Sequence, residues 1–164
     1  MVKTGIFVND SVNWLTRESD SRAQYIVSLD LEKETSQKLS LPDVHFTTSY
    51  TSTTLGTLRG CLSLLSRKVK FSDVWIMKEY GNENSWTKLL TVPHTVECGF
   101  SGYNRALYIS ENDKVLMECT ELGINSLVVY DSINNTFKIS KFQNNIRSEM
   151  VTQEVYVESL ISPL

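Results

Sequence analysis

Leu55 to Pro93, LGTLRGCLSLLSRKVKFSDVWIMKEYGNENSWTKLLTVP, is the stretch that decides the fold. Leu55, Leu58, Leu62 and Leu65 recur at three and four residues, a spacing that suits one face of a helix. Gly56 and Gly60 oppose that reading, because glycine in a helix interior costs about 1 kcal/mol relative to alanine. Leu58, Gly60, Leu62 and Leu64 alternate as a β-hairpin would, with Arg59-Gly60 as its turn. Further on, Val74-Trp75-Ile76-Met77 is apolar on both strand faces, as expected of a strand held between two sheets. It returns after Tyr80-Gly81-Asn82 through Trp86 to Leu90, which makes a second hairpin.

An internal repeat decides between helix and strand. Val8-Asn9-Asp10-Ser11-Val12-Asn13-Trp14-Leu15 lies over Leu58-Arg59-Gly60-Cys61-Leu62-Ser63-Leu64-Leu65 at a spacing of 50, and the apolar positions and the turn coincide. Ile109 to Glu118 is a third copy, with Asn112-Asp113 as turn and about two extra residues in the loop. Each copy is followed by a second hairpin: Tyr25 to Leu31 with Lys38 to Leu41, Val74 to Met77 with Trp86 to Leu90, and Leu127 to Tyr130 with Phe137 to Ile139. Four strands in about 50 residues is the signature of a propeller blade. The expected fold is therefore all-β: repeated four-stranded antiparallel sheets forming a partial, kelch-like β-propeller. The chain is read as a single domain, 1–164, with blades at 5–42, 55–93 and 105–140 and a closing strand at 153–162. Trp86 and Phe137 follow the second turn in their repeats and should pack between blades. Asp30 and Asp131 stop their strands and should accept backbone N–H groups in the turns that follow. Thr47 to Thr54 and Pro93 to Tyr103 read as loops linking blades.

Composition limits the functional classes. A chain of 164 residues buries roughly 70% of its unfolded surface, enough for a core without disulfide or metal staples. The net charge of −3 argues against a nucleic-acid partner, which normally calls for a clustered basic surface. Arg17 with Arg22, and Arg67, Lys68 and Lys70, are the basic groupings, and they read as solvated turns. No apolar run approaches the ~20 residues of a membrane span, and no secretory signal is visible, so cytoplasm or nucleus is the expected compartment. Cys61, Cys98 and Cys119 are widely spaced without a C-x-x-C pair, which disfavours a zinc site or a disulfide framework and fits a reducing environment. The sequons Asn9-Asp10-Ser11 and Asn134-Asn135-Thr136 read as turns.

A search for catalysis returns little. There is no G-x-S-x-G, H-E-x-x-H, P-loop or G-x-G-x-x-G, and His45 and His94 are the two imidazoles. Cys98 lies four residues from His94, but spacing within a loop does not establish a nucleophile and base. Glu79 and Glu83 flank a turn, where paired acids are ordinarily solvated. The chain is read as no enzyme: no catalytic, cofactor-binding or metal-binding residue is assigned, no cofactor is expected, and the partner-binding residues are left open.

The opening stretch, with its LRGCL, DVW, MKEYG and SWTKL runs, resembles the core of the plant F-box associated domain, type 1. The similarity runs along the chain through GIFVNDSVNWL (Gly5 to Leu15), IVSLDLEKETSQKLSLP (Ile26 to Pro42), LYISENDKVL (Leu107 to Leu116), LVVYDSINNTFKI (Leu127 to Ile139) and VYVESLISP (Val155 to Pro163). The resemblance implies the substrate-recognition domain of an SCF-type cullin-RING ubiquitin ligase subunit, with a protein substrate as partner. The family's adaptor and cullin are reached through an F-box. No segment before Gly5 has the length of that motif, so this stretch alone is not expected to bind them. The alternatives are a free-standing propeller-like interaction module and a carbohydrate-binding propeller.

Overall fold

The structure, a computed structural model, describes residues 5–19, 23–42, 52–95, 102–121 and 124–142. These residues form three four-stranded antiparallel sheets. Sheet 1 runs β1 (Ile6–Val8), β2 (Ser11–Arg17), β3 (Gln24–Asp30) and β4 (Thr35–Ser40). Sheet 2 runs β5 (Ser52–Leu58), β6 (Cys61–Arg67), β7 (Phe71–Met77) and β8 (Trp86–Pro93). Sheet 3 runs β9 (Tyr103–Ile109), β10 (Lys114–Glu121), β11 (Ile124–Asp131) and β12 (Thr136–Phe142). In each sheet the strands pair in chain order, so every connection within a sheet is a hairpin. The innermost strands β1, β5 and β9 lie side by side, with β5 in contact with both others. This is the expected partial β-propeller. Among the described residues the one helical turn is a 3₁₀ turn at Glu83–Ser85, and no helix is long and apolar enough to cross a membrane.

The first hairpin of each sheet turns where the repeat placed it. Asn9 and Asp10 both have positive φ (51° and 55°), as do Arg59 and Gly60 (52° and 72°), the backbone that a two-residue type I′ turn needs. Leu58 pairs with Cys61 across the second of these turns, so the leucine spacing of three and four residues is a hairpin and not a helix. The third turn is longer: Ser110 donates its amide to Lys114, and Asp113 takes φ 53°. Ser52, Thr53 and Thr54, expected in a linking loop, instead open β5, where the Thr53 hydroxyl donates to Gln24 on sheet 1 (2.6 Å). β-branched and hydroxyl side chains tolerate a strand edge, and pairing with β6 outweighs the loop-like composition. The remainder of that loop, residues 47–51, and the closing strand expected at 153–162 lie outside the described residues.

Two apolar layers hold the sheets together. Leu62, Leu64 and Met77 of sheet 2 meet Val8, Ile26 and Leu39 of sheet 1. Leu65, Val74 and Ile76, from the other face of sheet 2, meet Val115, Met117 and Val128 of sheet 3. Trp86 packs against the first layer and Phe137 against the second, where its ring stacks on Tyr130 at 4.7 Å. Both aromatics therefore fill the space between blades, as their place in the repeat implies.

Polar latches add specificity to this packing. The Tyr80 hydroxyl, reaching from sheet 2, donates to Asn13 Oδ1 (2.8 Å) and shares a 2.5 Å hydrogen bond with Ser28 Oγ, and Asn13 and Ser28 are wholly buried in sheet 1. The Asn13 amide goes on to the carbonyls of Ile6 and Ser11. Between sheets 2 and 3, Arg59 donates to the Ser110 carbonyl (2.8 Å) and to Asp113 (2.9 Å), which joins their turns.

Candidate interaction surface

The β3–β4 turn of sheet 1 and the β11–β12 turn of sheet 3 are each built around one carboxylate. Asp30 Oδ1 accepts the amides of Glu32 and Lys33 (3.0 and 2.9 Å), and Asp131 Oδ1 those of Ile133 and Asn134 (3.1 Å each). The Asn134 side chain and backbone, joined by Lys114, hold the Asp131 carboxyl down at about 2. A hydrogen bond from the Lys33 ammonium is the main cause of the lowered pKa of Asp30. These turns are fixed by acids committed to the backbone, so the side chains between them project to solvent in set positions.

What they project is apolar and acidic. Leu31 (52% exposed) and Phe7 (61% exposed) line an open cleft of about 430 Å³ with Asp10 and Glu32. Ile133, 73% exposed, stands in the corresponding turn of sheet 3, and Glu111 is exposed in the Ser110 to Asp113 turn. Large apolar side chains this open to water, rimmed by carboxylates, suit a protein ligand better than a small molecule, which needs an enclosing pocket.

The residues weighed for chemistry are occupied otherwise. His94 follows β8, with Nε2 2.9 Å from Ser72 Oγ and its ring edge-on to Tyr103 at 5.5 Å. Burial pushes its pKa below the ordinary value, and the Arg67 charge acts the same way. A Cβ on Gly102 would come within 2.6 Å of this ring, so glycine is what lets the chain pass over it. Glu79 Oε2 accepts from Asn82 Nδ2 (2.8 Å) within its own turn, while Glu83 Oε1 accepts the Ser40 amide of sheet 1 (2.5 Å). Beside that contact Trp86 Nε1 donates to the Ser40 carbonyl (3.0 Å). The two glutamates thus serve a turn and a sheet-to-sheet clasp, and do not face each other across a substrate site. Cys98 and His45 lie outside the described residues. Cys61 is free, and Cys119 is disulfide-bonded, a bond that a reducing compartment disfavours. Among the described residues there is no group of three side chains able to hold a metal ion.

The most deeply buried carboxylate among the described residues, Asp73, was passed over by the sequence reading; it lies in β7 and is 1% exposed. It accepts from Thr91 (2.5 Å) and Lys68 (3.0 Å), with Lys88 at 3.7 Å. Burial alone would raise its pKa, but these donors and charges outweigh it and leave the carboxyl below the ordinary range. It is a satisfied structural acid. Phe7, Leu31 and Ile133 were also passed over, since single apolar residues beside turns carry no periodic signal.

Comparison with known proteins agrees with this architecture. Residues 1–163 match the F-box associated beta propeller domain family. An F-box/kelch-repeat protein of Arabidopsis thaliana is 33% identical over 162 residues, covering 98% of this chain and 41% of its own length. F-box protein CPR1 of the same plant is 28% identical over 160 residues, covering 92% of this chain and 38% of its own. The chain therefore spans about two fifths of the length of these relatives. No solved structure matches it. With residues 1–163 matched and three four-stranded antiparallel sheets stacked side by side, this protein belongs to the F-box associated beta propeller domain family.

Proposed function

We propose that this domain binds a protein substrate on behalf of an SCF-type cullin-RING ubiquitin ligase, as the recognition part of an F-box protein. The observation that carries this reading is the family match over residues 1–163, with relatives named as F-box proteins. The described residues support it physically: a stack of three packed sheets and an exposed turn end. The domain is read as three blades, 5–42, 55–93 and 105–140. An F-box elsewhere in such a protein docks the ligase adaptor, and this domain holds the substrate near the ubiquitin-charged enzyme. Effective concentration and orientation then replace catalytic side chains.

The turn end is the proposed receiving face. Leu31 and Ile133 offer apolar anchors, and Asp10, Glu32 and Glu111 favour a substrate segment in which Lys or Arg sits beside apolar residues. To test this, residues 1–164 are fused to an F-box and expressed in plant cells with the proteasome inhibited. The wild-type fusion should hold a protein that a reconstituted ligase then ubiquitinates, and a Leu31→Asp, Ile133→Asp fusion should lose about tenfold or more of it. An unchanged set of bound and ubiquitinated proteins sinks the assignment of this face; adaptor binding with no ubiquitinated protein at all sinks the function.

A further inference from the structure

Arg59 stands where the backbone favours a different residue. It takes the first turn position of the β5–β6 hairpin at φ 52°, in the left-handed region where Cβ crowds the carbonyl and which glycine, asparagine and aspartate tolerate best. Its companions keep to that rule: Gly60 follows at φ 72°, and Asn9 and Asp10 fill the matching turn fifty residues earlier. The Arg59 side chain leaves its own sheet and donates to the Ser110 carbonyl (2.8 Å) and to Asp113 (2.9 Å) in the β9–β10 turn. Strain kept at one position points to a use for the side chain that stands there.

The turn that Arg59 grips is joined to the next one. Ser132 Oγ donates to the Asp113 carbonyl (3.0 Å), and Lys114 Nζ lies 3.2 Å from Asp131, the carboxylate that accepts the Ile133 and Asn134 amides. One line of bonds therefore runs from sheet 2 through the turn holding Glu111 to the turn holding Ile133. All of it lies at the seam between sheets 2 and 3 or within sheet 3. The same bonds sort the acids. Asp113 is answered by Arg59 and Asp131 by Lys114, whereas Glu111 is exposed and has no ion pair among the described residues.

We propose that Arg59 is a positioning residue of the receiving face. It fixes the β9–β10 turn to sheet 2, so that Glu111 meets a cationic side chain of the bound segment in one geometry while Asp113 is held out of that contact. The proposal rests on the reading of the turn end as the surface that receives a protein substrate. An exposed ion pair contributes little to folding, so the bridge decides where Glu111 stands and not whether the sheets form. Charge alone predicts the opposite effect on binding. Taking a cation off an acidic face strengthens its attraction for Lys or Arg. Loss of positioning weakens the contact, because a loosened turn must be ordered each time a partner binds.

Arg59→Asn separates the two effects. Asn-Gly is a preferred pair for a type I′ turn, so the hairpin keeps its stability while the bridge is lost. In residues 1–164 the urea midpoint should stay at or above that of the wild type, and the amide order parameter of Glu111 should fall from about 0.85 to below about 0.6. Fused to an F-box and expressed in plant cells with the proteasome inhibited, the variant should capture about fivefold less of the protein that the wild-type fusion holds. Arg59→Asp combined with Asp113→Arg exchanges the charges between two left-handed positions, φ 52° and 53°, and should recover most of the lost capture. A Glu111 amide as rigid as in the wild type, capture unchanged or increased, or a urea midpoint well below wild type each overturns the positioning role. An exchange that recovers nothing places the loss outside the bridge and overturns it equally. In all of these the Leu31→Asp, Ile133→Asp fusion still loses its protein; where that fusion loses none, the receiving face itself has failed and the positioning role falls with it.

Discussion

At the scale of single residues, Asp30 and Asp131 are carboxylates that serve the backbone of their turns. Asp131 shows how this can be measured. Its carboxyl titrates at about 2 in the folded chain against an ordinary 3.8, so it favours folding wherever it is ionised. That contribution is complete above the ordinary value and is lost as the pH falls through the folded value. Asp131→Asn should therefore melt below wild type at pH 7, and the gap should narrow below about pH 4 and close near pH 2; a gap constant with pH would show that the charge is irrelevant to the turn. The role was legible in the sequence, because an Asp that ends a strand before a polar turn has one obvious use. Asp73 was not legible in the same way. An acid inside the run Phe71–Met77 reads as an outward-facing position, and its three partners come from the residues before β7 and from β8.

At the scale of elements, hairpins were readable and latches between sheets were not. Asn9-Asp10 and Arg59-Gly60 announce their turns locally, and the fifty-residue repeat overruled the helical spacing of Leu55 to Leu65. The Tyr80 latch joins residues 52 and 67 positions apart, and nothing near Tyr80 in sequence foretells it. Such contacts depend on how one sheet lies over the next, which hydrophobic patterning leaves undefined. Removing the Tyr80 hydroxyl leaves two buried groups of sheet 1, Asn13 Oδ1 and Ser28 Oγ, without this partner. Tyr80→Phe is expected to cost about 1–3 kcal/mol in urea unfolding with little change in the dependence on denaturant. A cost near zero would show that water takes over the bond. The acidic and apolar turn end belongs with the unreadable part: its members lie in separate turns, and only folding brings Phe7 and Leu31 to one cleft.

For the whole molecule, the two apolar layers make sheet 2 the shared member. Leu64 is wholly buried in the first layer, and Leu64→Ala is expected to cost about 2–5 kcal/mol, a large part of the roughly 5–15 kcal/mol that holds a domain folded. Its folded fraction by circular dichroism should fall accordingly at moderate urea; an unchanged midpoint would mean that the layer repacks around the gap. The fold class was legible because a repeat multiplies weak strand signals threefold. The pairing of particular faces was not, since apolar alternation says that a face is covered and not by what. A stack in which each sheet touches only its neighbours behaves as a short one-dimensional chain of coupled units, whose end members can open while the middle one holds. Sheet 2 cannot open without exposing both layers, whereas sheet 1 or sheet 3 exposes one. Amide exchange should accordingly be slowest in β6 and β7, and the barrier that protects them should be the one that governs global unfolding.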